Sequence, residues 1–497
     1  MSELSKATRR EFMKKAGALS VMQAATPLAA SLSLMNNAAA QTASSTDYKA
    51  LVCVFMYGGN DHYDTVVPYR QDLYNAYNTI RGQGDICGDY RGIALAREKL
   101  RPLYSYFSRE PLDHALHPAM DSMQNLFNEG RAGIVMNVGP LLRPTNLAQF
   151  QSKSFPLPPN LLSHNNQQAY WQTAIKGEEA PTGWGGRMAD LFLSNDDNLK
   201  NSLTCISVTG DALFLSGNKA ISTKMSTAGV ATINPLSTRW HNTYGNPQAA
   251  WDMIKTLSTS SGNHMLTAQY AQVMSRSMAT YDVVSSKIGT DPITDSSHAY
   301  MPSAHDQDPK TKYNSTNIKT ESTPLAEQLE MVARLIQQSP HMNMNRQVFM
   351  VGVGGFDLHD NLVSRHPKLL KMVSDACAEF DAAMQSMGMG DKVTTFTASD
   401  FGRTLTSNGD GSDHGWGSHH FVLGGAVNGR QFYGTAPLMA VKHPQSIGSG
   451  ILIPTTSLEQ MFVPLASWFG VSQGNMDSVF PNAKYFSPRL QGLMKTT

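Results

Sequence analysis

Leu51-Val52-Cys53-Val54-Phe55-Met56, running into Gly58-Gly59-Asn60-Asp61, is the stretch that decides the fold. A continuous apolar run without polar alternation is the pattern of a strand buried on both faces, as in parallel sheets covered by helices on each side. The glycines and Asn-Asp that follow predict a tight turn at its carboxyl end. Further runs repeat the pattern: Ala132 to Val138, Val348 to Val353 and Val393 to Thr397, with Phe421-Val422-Leu423 after a polar loop. Helical stretches lie between them, from Pro118 to Asn128 and from His366 to Met387. In the second, Leu369, Val373, Cys377, Phe380 and Met384 recur at helical spacing. Thr456 with Glu459 reads as a capping box that opens a helix through Trp468. Strands alternating with helices predict an α/β fold on a doubly wound, mostly parallel sheet.

The remainder of the chain sets limits on this reading. At 497 residues it exceeds one core of ordinary size, which suits a large α/β domain carrying an insertion. Residues 215–323, rich in Ser, Thr and Asn, read as a polar helical and loop insertion or cap, with a helix from about His264 to Lys287. Pro324 then restarts regular structure at a first helical turn. Thr8-Arg9-Arg10-Glu11-Phe12-Met13-Lys14, a mildly apolar stretch to Met35 and Ala38-Ala39-Ala40-Gln41 resemble a twin-arginine export signal over residues 1–40. That resemblance implies passage through the twin-arginine export machinery and a periplasmic or secreted domain over residues 41–497. Gly17, Gln23, Thr26 and Pro27 make the apolar stretch a poor spanning helix, and no later run is long enough to span. Beyond residue 40 there are 35 basic groups against 37 acidic, a net of −2. So neutral a body lacks the electrostatic footprint of a nucleic-acid binder. Four cysteines exclude a disulfide scaffold; Cys53 and Cys377 read as core, and pairing of Cys87 with Cys205 stays open.

Three of the buried runs end in an aspartate: Asp61, Asp357 and Asp400. In open α/β sheets, ligands bind beyond the carboxyl ends of the strands, so these acids can meet. His359 lies just after Asp357, while Asp413-His414 and His419-His420 follow Asp400. Converging carboxylates repel one another unless a cation neutralises them. Asp and His together suit Zn²⁺ or Mn²⁺, and a carboxylate-only half could take Mg²⁺ or Ca²⁺, with one or two ions in all. Arg403 is either a guanidinium fork for an oxyanion or an ordinary loop arginine.

This order of strand-end acids and histidines resembles the alkaline phosphatase superfamily, which includes sulfatases and cofactor-independent phosphoglycerate mutases. More narrowly, six segments resemble the domain of unknown function 1501 family of exported bacterial proteins. They are Phe55 to Asp61, Leu116-His117-Pro118-Ala119, Ser163-His164, Gly355 to His359, Ser399 to Thr404 and Ser412 to Gly417. The resemblance implies that Asp357, His359 and His414 bind one metal, and that Asp61 and Asp400 share a second. Phe401 departs from the pattern, which has a histidine there, and the Asp357–His359 spacing is short. The second site is then weak, or rebuilt with Asn60, Asp360 or Asp413. Ser163, before a helix, matches the nucleophile position or is a plain N-cap. His164 is a proton donor or substrate contact, and His419 or His420 a donor to the leaving oxygen. The implied function is an exported metal-dependent hydrolase of phosphate or sulfate esters, small-molecule or carbohydrate. The alternative is a non-catalytic ligand-binding or assembly protein on the same fold.

Overall fold

The computed structural model describes residues 48–82, 92–106, 112–175, 180–193, 202–229, 247–260, 264–288, 323–487 and 490–496. The twin-arginine segment and Cys87 lie outside the described residues. The central sheet is built from β1 (Lys49–Met56), β2 (Ala132–Gly139), β3 (Cys205–Ser207), β4 (Thr223–Lys224), β5 (Arg346–Val353), β6 (Val393–Ser399), β7 (Ser418–Leu423), β8 (Phe432–Gly434) and β9 (Thr456–Ser457). Its order is β8-β2-β7-β6-β1-β5-β3-β4, with β9 also paired to β2. Every pairing is parallel except those of β7, which runs antiparallel to both β2 and β6. The sheet is therefore mixed and mostly parallel.

Eight helices matter here: α1 (Gln71–Arg81), α2 (Asp121–Asn128), α3 (His164–Thr173), α4 (Pro247–Thr259), α5 (Met265–Lys287), α6 (Pro324–Gln337), α7 (Leu362–Ser386) and α8 (Leu458–Phe469). On one face of the sheet Val52, Val54, Phe349 and Val351 pack with Phe127 of α2, Leu329 of α6 and Val373 of α7. On the other, Phe396 meets Phe462 of α8 at 5.5 Å and Trp184 at 5.6 Å between ring centroids. Burying a side chain of this size stabilises by about 1.5–3 kcal/mol, and the two-sided cover explains why the strands are apolar throughout.

The capping box of α8 falls one residue later than Thr456 and Glu459. Ser457 accepts from the Gln460 amide at 3.2 Å and Gln460 accepts from that of Ser457 at 2.8 Å. Thr456 is drawn into β9, where its hydroxyl donates to the Met136 carbonyl. Within 215–323, β4 belongs to the sheet edge, and α4 and α5 follow it. Cys53, Cys205 and Cys377 are buried free thiols. No helix among the described residues is long and apolar enough to cross a membrane.

What positions the site is the register of β6, β1 and β5. Met56 stands opposite both Val353 and Ser399, so the loops leaving the three strands emerge side by side.

Candidate metal centre

The loop after β1 approaches the other two closely enough to demand glycine. At Gly58, where φ is +116°, a Cβ would lie 2.4 Å from the Asp357 amide nitrogen. Its N–H donates to Asp400 Oδ2 at 3.2 Å. Arg403, fully buried, ties the loops together. Its Nε donates to Gly59 O at 2.8 Å, Nη1 to Ser412 O at 2.9 Å, and Nη2 to Gly58 O at 2.6 Å, Phe356 O at 3.2 Å and the Asp357 carboxylate. Arg403 is thus neither a surface arginine nor a fork open to an oxyanion. Its donors face inward onto acceptors of the protein.

Beyond these loops, His164 at the start of α3, Asp357 after β5 and His414 of the Gly-rich loop converge. One ligand atom from each lies within 4.8 Å of the others. His164 Nε2 is 3.4 Å from Asp357 Oδ2, and His414 Nε2 is 3.4 Å from Asp357 Oδ1. The two rings thus face different oxygens of the same carboxylate, and two imidazole nitrogens with a carboxylate oxygen are donors of the kind zinc takes. The outer nitrogen of each ring is fixed. His164 Nδ1 meets Asp400 Oδ2 at 2.6 Å, and His414 Nδ1 meets Leu162 O at 2.8 Å. Partners of this kind set the tautomer that leaves Nε2 with its lone pair facing a metal. Leu162 adopts a φ of +69° to present that carbonyl, a strained geometry for a branched side chain. Gln168, one turn beyond His164, donates to the same Asp400 oxygen at 2.9 Å. Phe401 is fully buried beneath the centre, with its ring centroid 4.8 Å from that of His164 and 4.6 Å from that of His414.

The electrostatics match a site that gains from a cation. His414 Nε2 and Asp400 Oδ1 are buried without a hydrogen-bond partner among the described residues. A buried polar atom left this way points to a missing ligand, ion or water. The bond to Asp400 raises the His164 pKa, whereas burial lowers that of His414. Burial would raise the Asp357 carboxyl, but the Arg403 hydrogen bond and charge outweigh it and hold it below the usual range. The cluster is therefore a His-Asp-His set able to coordinate a divalent metal.

The other expected residues fall elsewhere. Asp61 caps the turn His62–Thr65, taking the amides of Tyr63 and Asp64 on Oδ1, while Oδ2 accepts from Arg81 at 2.6 Å and Ser412 at 2.6 Å. It is not brought to the cluster. Asp400 stands behind His164. His359, about half exposed, lies 3.1 Å from Asp357 Oδ1 and 3.1 Å from Asp413, on the rim of the set. Asn60 is engaged by Thr65 and His366, and Asp360 is exposed beside Arg365. His419 and His420 are buried within β7; His419 Nδ1 accepts from the Asn137 amide, and burial pushes both rings down to about 3. Neutral imidazoles in the sheet are poor proton donors. Ser163 occupies the N-cap position of α3 without making a side-chain cap, and its hydroxyl accepts from Asn166 at 3.2 Å. Sequence pattern alone does not reveal His164 as a ligand, or the parts played by Gln168, Leu162 and Arg81. The one signal available was the spacing of His164 and Gln168, which places both on the same helical face.

Residues 48–479 match the family model described as protein of unknown function (DUF1501). The chain belongs to the DUF1501 family. No curated protein matches this DUF1501 chain. Among solved structures it is similar to Ps i-CgsB in complex with k-i-k-neocarrahexaose, at 9% identity, a TM-score of 0.33, and coverage of 87% of this chain and 74% of that one. It is also similar to the lipoteichoic acid synthase LtaP from Listeria monocytogenes, at 11% identity, a TM-score of 0.30, and coverage of 86% and 74%. A third is the PsFucS1 sulfatase from Pseudoalteromonas sp., at 11% identity, a TM-score of 0.32, and coverage of 89% and 70%. Likeness at this level bears on neither substrate nor mechanism.

Proposed function

We propose that this DUF1501 protein is an exported hydrolase of phosphate or sulfate esters that works with one divalent ion, zinc or manganese, held by His164, Asp357 and His414. The observation that carries the reading is the convergence of the two Nε2 atoms on Asp357, each ring fixed from behind by Asp400 or by the Leu162 carbonyl. Two imidazoles and a carboxylate suit those metals better than Mg²⁺ or Ca²⁺, and three protein ligands leave a position for substrate. The order of strand-end acids, similar to that of the alkaline phosphatase superfamily, supports ester chemistry. When bound, the ion supplies a Lewis acid for an ester oxygen and lowers the pKa of a nearby hydroxyl or water. Ser163, adjacent to a ligand and uncommitted as a cap, is the nucleophile in this reading. Arg403 holds Asp357 in place. Arg9-Arg10 directs the chain to the twin-arginine machinery, and residues 1–40 are removed, leaving a periplasmic or secreted enzyme.

The test is an aryl-phosphate and aryl-sulfate screen on the exported protein, alongside Asp357→Asn and Ser163→Ala. Turnover of one ester class, lost in both variants while the fold is kept, is the expected result. Metal without turnover would favour a second reading, a non-catalytic ligand-binding or assembly protein. One observation favours it: the donors of Arg403 and the rings of His419 and His420 all face the protein interior.

A further inference from the structure

We propose that Arg81 is a built-in cation that stands in place of a second metal ion, and that it acts through Asp61 and Ser412 as a positioning residue for His414. The proposal rests on the single-ion reading above. Arg81 closes α1 and reaches back under the loop after β1, where it is fully buried. Its Nη2 donates to Asp61 Oδ2 at 2.6 Å and its Nε lies 3.1 Å from Asp64 Oδ1. Nη1 donates to Thr404 O at 3.1 Å, next to Arg403. Tyr77 donates to Asp64 at 2.7 Å, and the Tyr63 and Tyr77 rings lie 5.9 and 6.0 Å from the guanidinium.

Asp61 therefore has two amides on one oxygen and Arg81 with Ser412 on the other. No lone pair remains for a metal ion, and an arginine with no exposed surface cannot lose its proton or swing away to admit one. Phe401 packs against the loop after β1: a Cβ on Gly59 would lie 2.4 Å from its ring. The carboxylate that Arg81 holds in turn holds the metal loop. Ser412 donates to Asp61 Oδ2 at 2.6 Å, accepts from Arg403 at 2.9 Å, and precedes His414 by two residues.

The experiment titrates Zn²⁺ and Mn²⁺ into the metal-free full chain by calorimetry, with elemental analysis for stoichiometry. Wild type should bind one ion. Ser412→Ala should still bind one ion, with Kd raised about 10-fold, the low end of what removing a direct outer partner of a ligand costs, because Ser412 reaches His414 only through the loop between them. Ser412→Thr should restore it, a recovery that loss of general stability would not produce. Arg81→Lys, which keeps the charge but not the fork, should weaken binding in the same direction. Two ions in wild type, or an unchanged Kd in Ser412→Ala and Arg81→Lys, would overturn the proposal while leaving the metal centre intact. No ion at all would overturn the single-ion reading, and this proposal with it.

Discussion

Asp400→Asn separates a ligand from the group that orients one. Asp400 places a single oxygen against His164 Nδ1 at 2.6 Å, Gln168 at 2.9 Å and the Gly58 amide at 3.2 Å. An asparagine can keep its carbonyl in that position but loses the charge that holds Nδ1 protonated. Loss of a carboxylate behind a ligating histidine weakens metal binding by about 10- to 100-fold. That corresponds to about 1.4–2.7 kcal/mol. The amide group, buried where a carboxylate sat, should also destabilise the metal-free fold by about 1–3 kcal/mol. Competition of the loaded protein against a chelator of known affinity measures the first quantity, and urea unfolding of the metal-free chain measures the second. His414→Ala in the same assay should lose the ion outright. If Asp400→Asn holds metal as tightly as wild type, Asp400 does not set the His164 tautomer. If it folds but loses the ion as completely as His414→Ala does, Asp400 is itself a ligand and the assignment of His164 fails.

Other expectations follow from the same geometry. His359→Ala should retain one ion with Kd changed by less than the Asp400→Asn effect, since His359 sits on the exposed rim; elemental analysis and the chelator assay decide it. Phe401→Ala should destabilise the chain by about 3–5 kcal/mol, as a fully buried aromatic under two imidazoles leaves a cavity there; denaturant unfolding measures it. Glu459, buried in the first turn of α8, is pushed up to about 7 by desolvation. The folded protein keeps a proton that the unfolded chain releases from about pH 4.5 upward, so wild-type stability should fall as pH rises toward 7, by up to about 3 kcal/mol. Glu459→Gln should remove that slope, and parallel melting curves for the two proteins would refute the assignment.

Apolar continuity made the framework legible. β1, β2, β5 and β6 are buried on both faces, as strands of a sheet covered by helices on each side must be. β3 escaped because Cys205-Ile206-Ser207 is too short to carry a period. The apolar part of β7 begins at Phe421, yet the strand starts at Ser418, because histidines look like site residues and these two are sheet core. The strand ends bring Asp357 and Asp400 to opposite nitrogens of one ring, that of His164. What residue type could not convey was the partner of each acid. Asp61 looks like a ligand until Arg81, twenty residues on, takes its carboxylate. His164 looks like a proton donor until α3 turns its Nε2 toward Asp357. Both depend on where a helix places one long or planar side chain, and no local pattern encodes that.

The central claim is best tested by diffraction from crystals of the full chain grown with zinc or manganese, recorded at the absorption edge of the metal. One anomalous peak per chain is predicted, about 2.0–2.2 Å from His164 Nε2, an Asp357 oxygen and His414 Nε2. A peak seated instead between Asp61 and Asp400, or no peak at the three residues, would contradict the account.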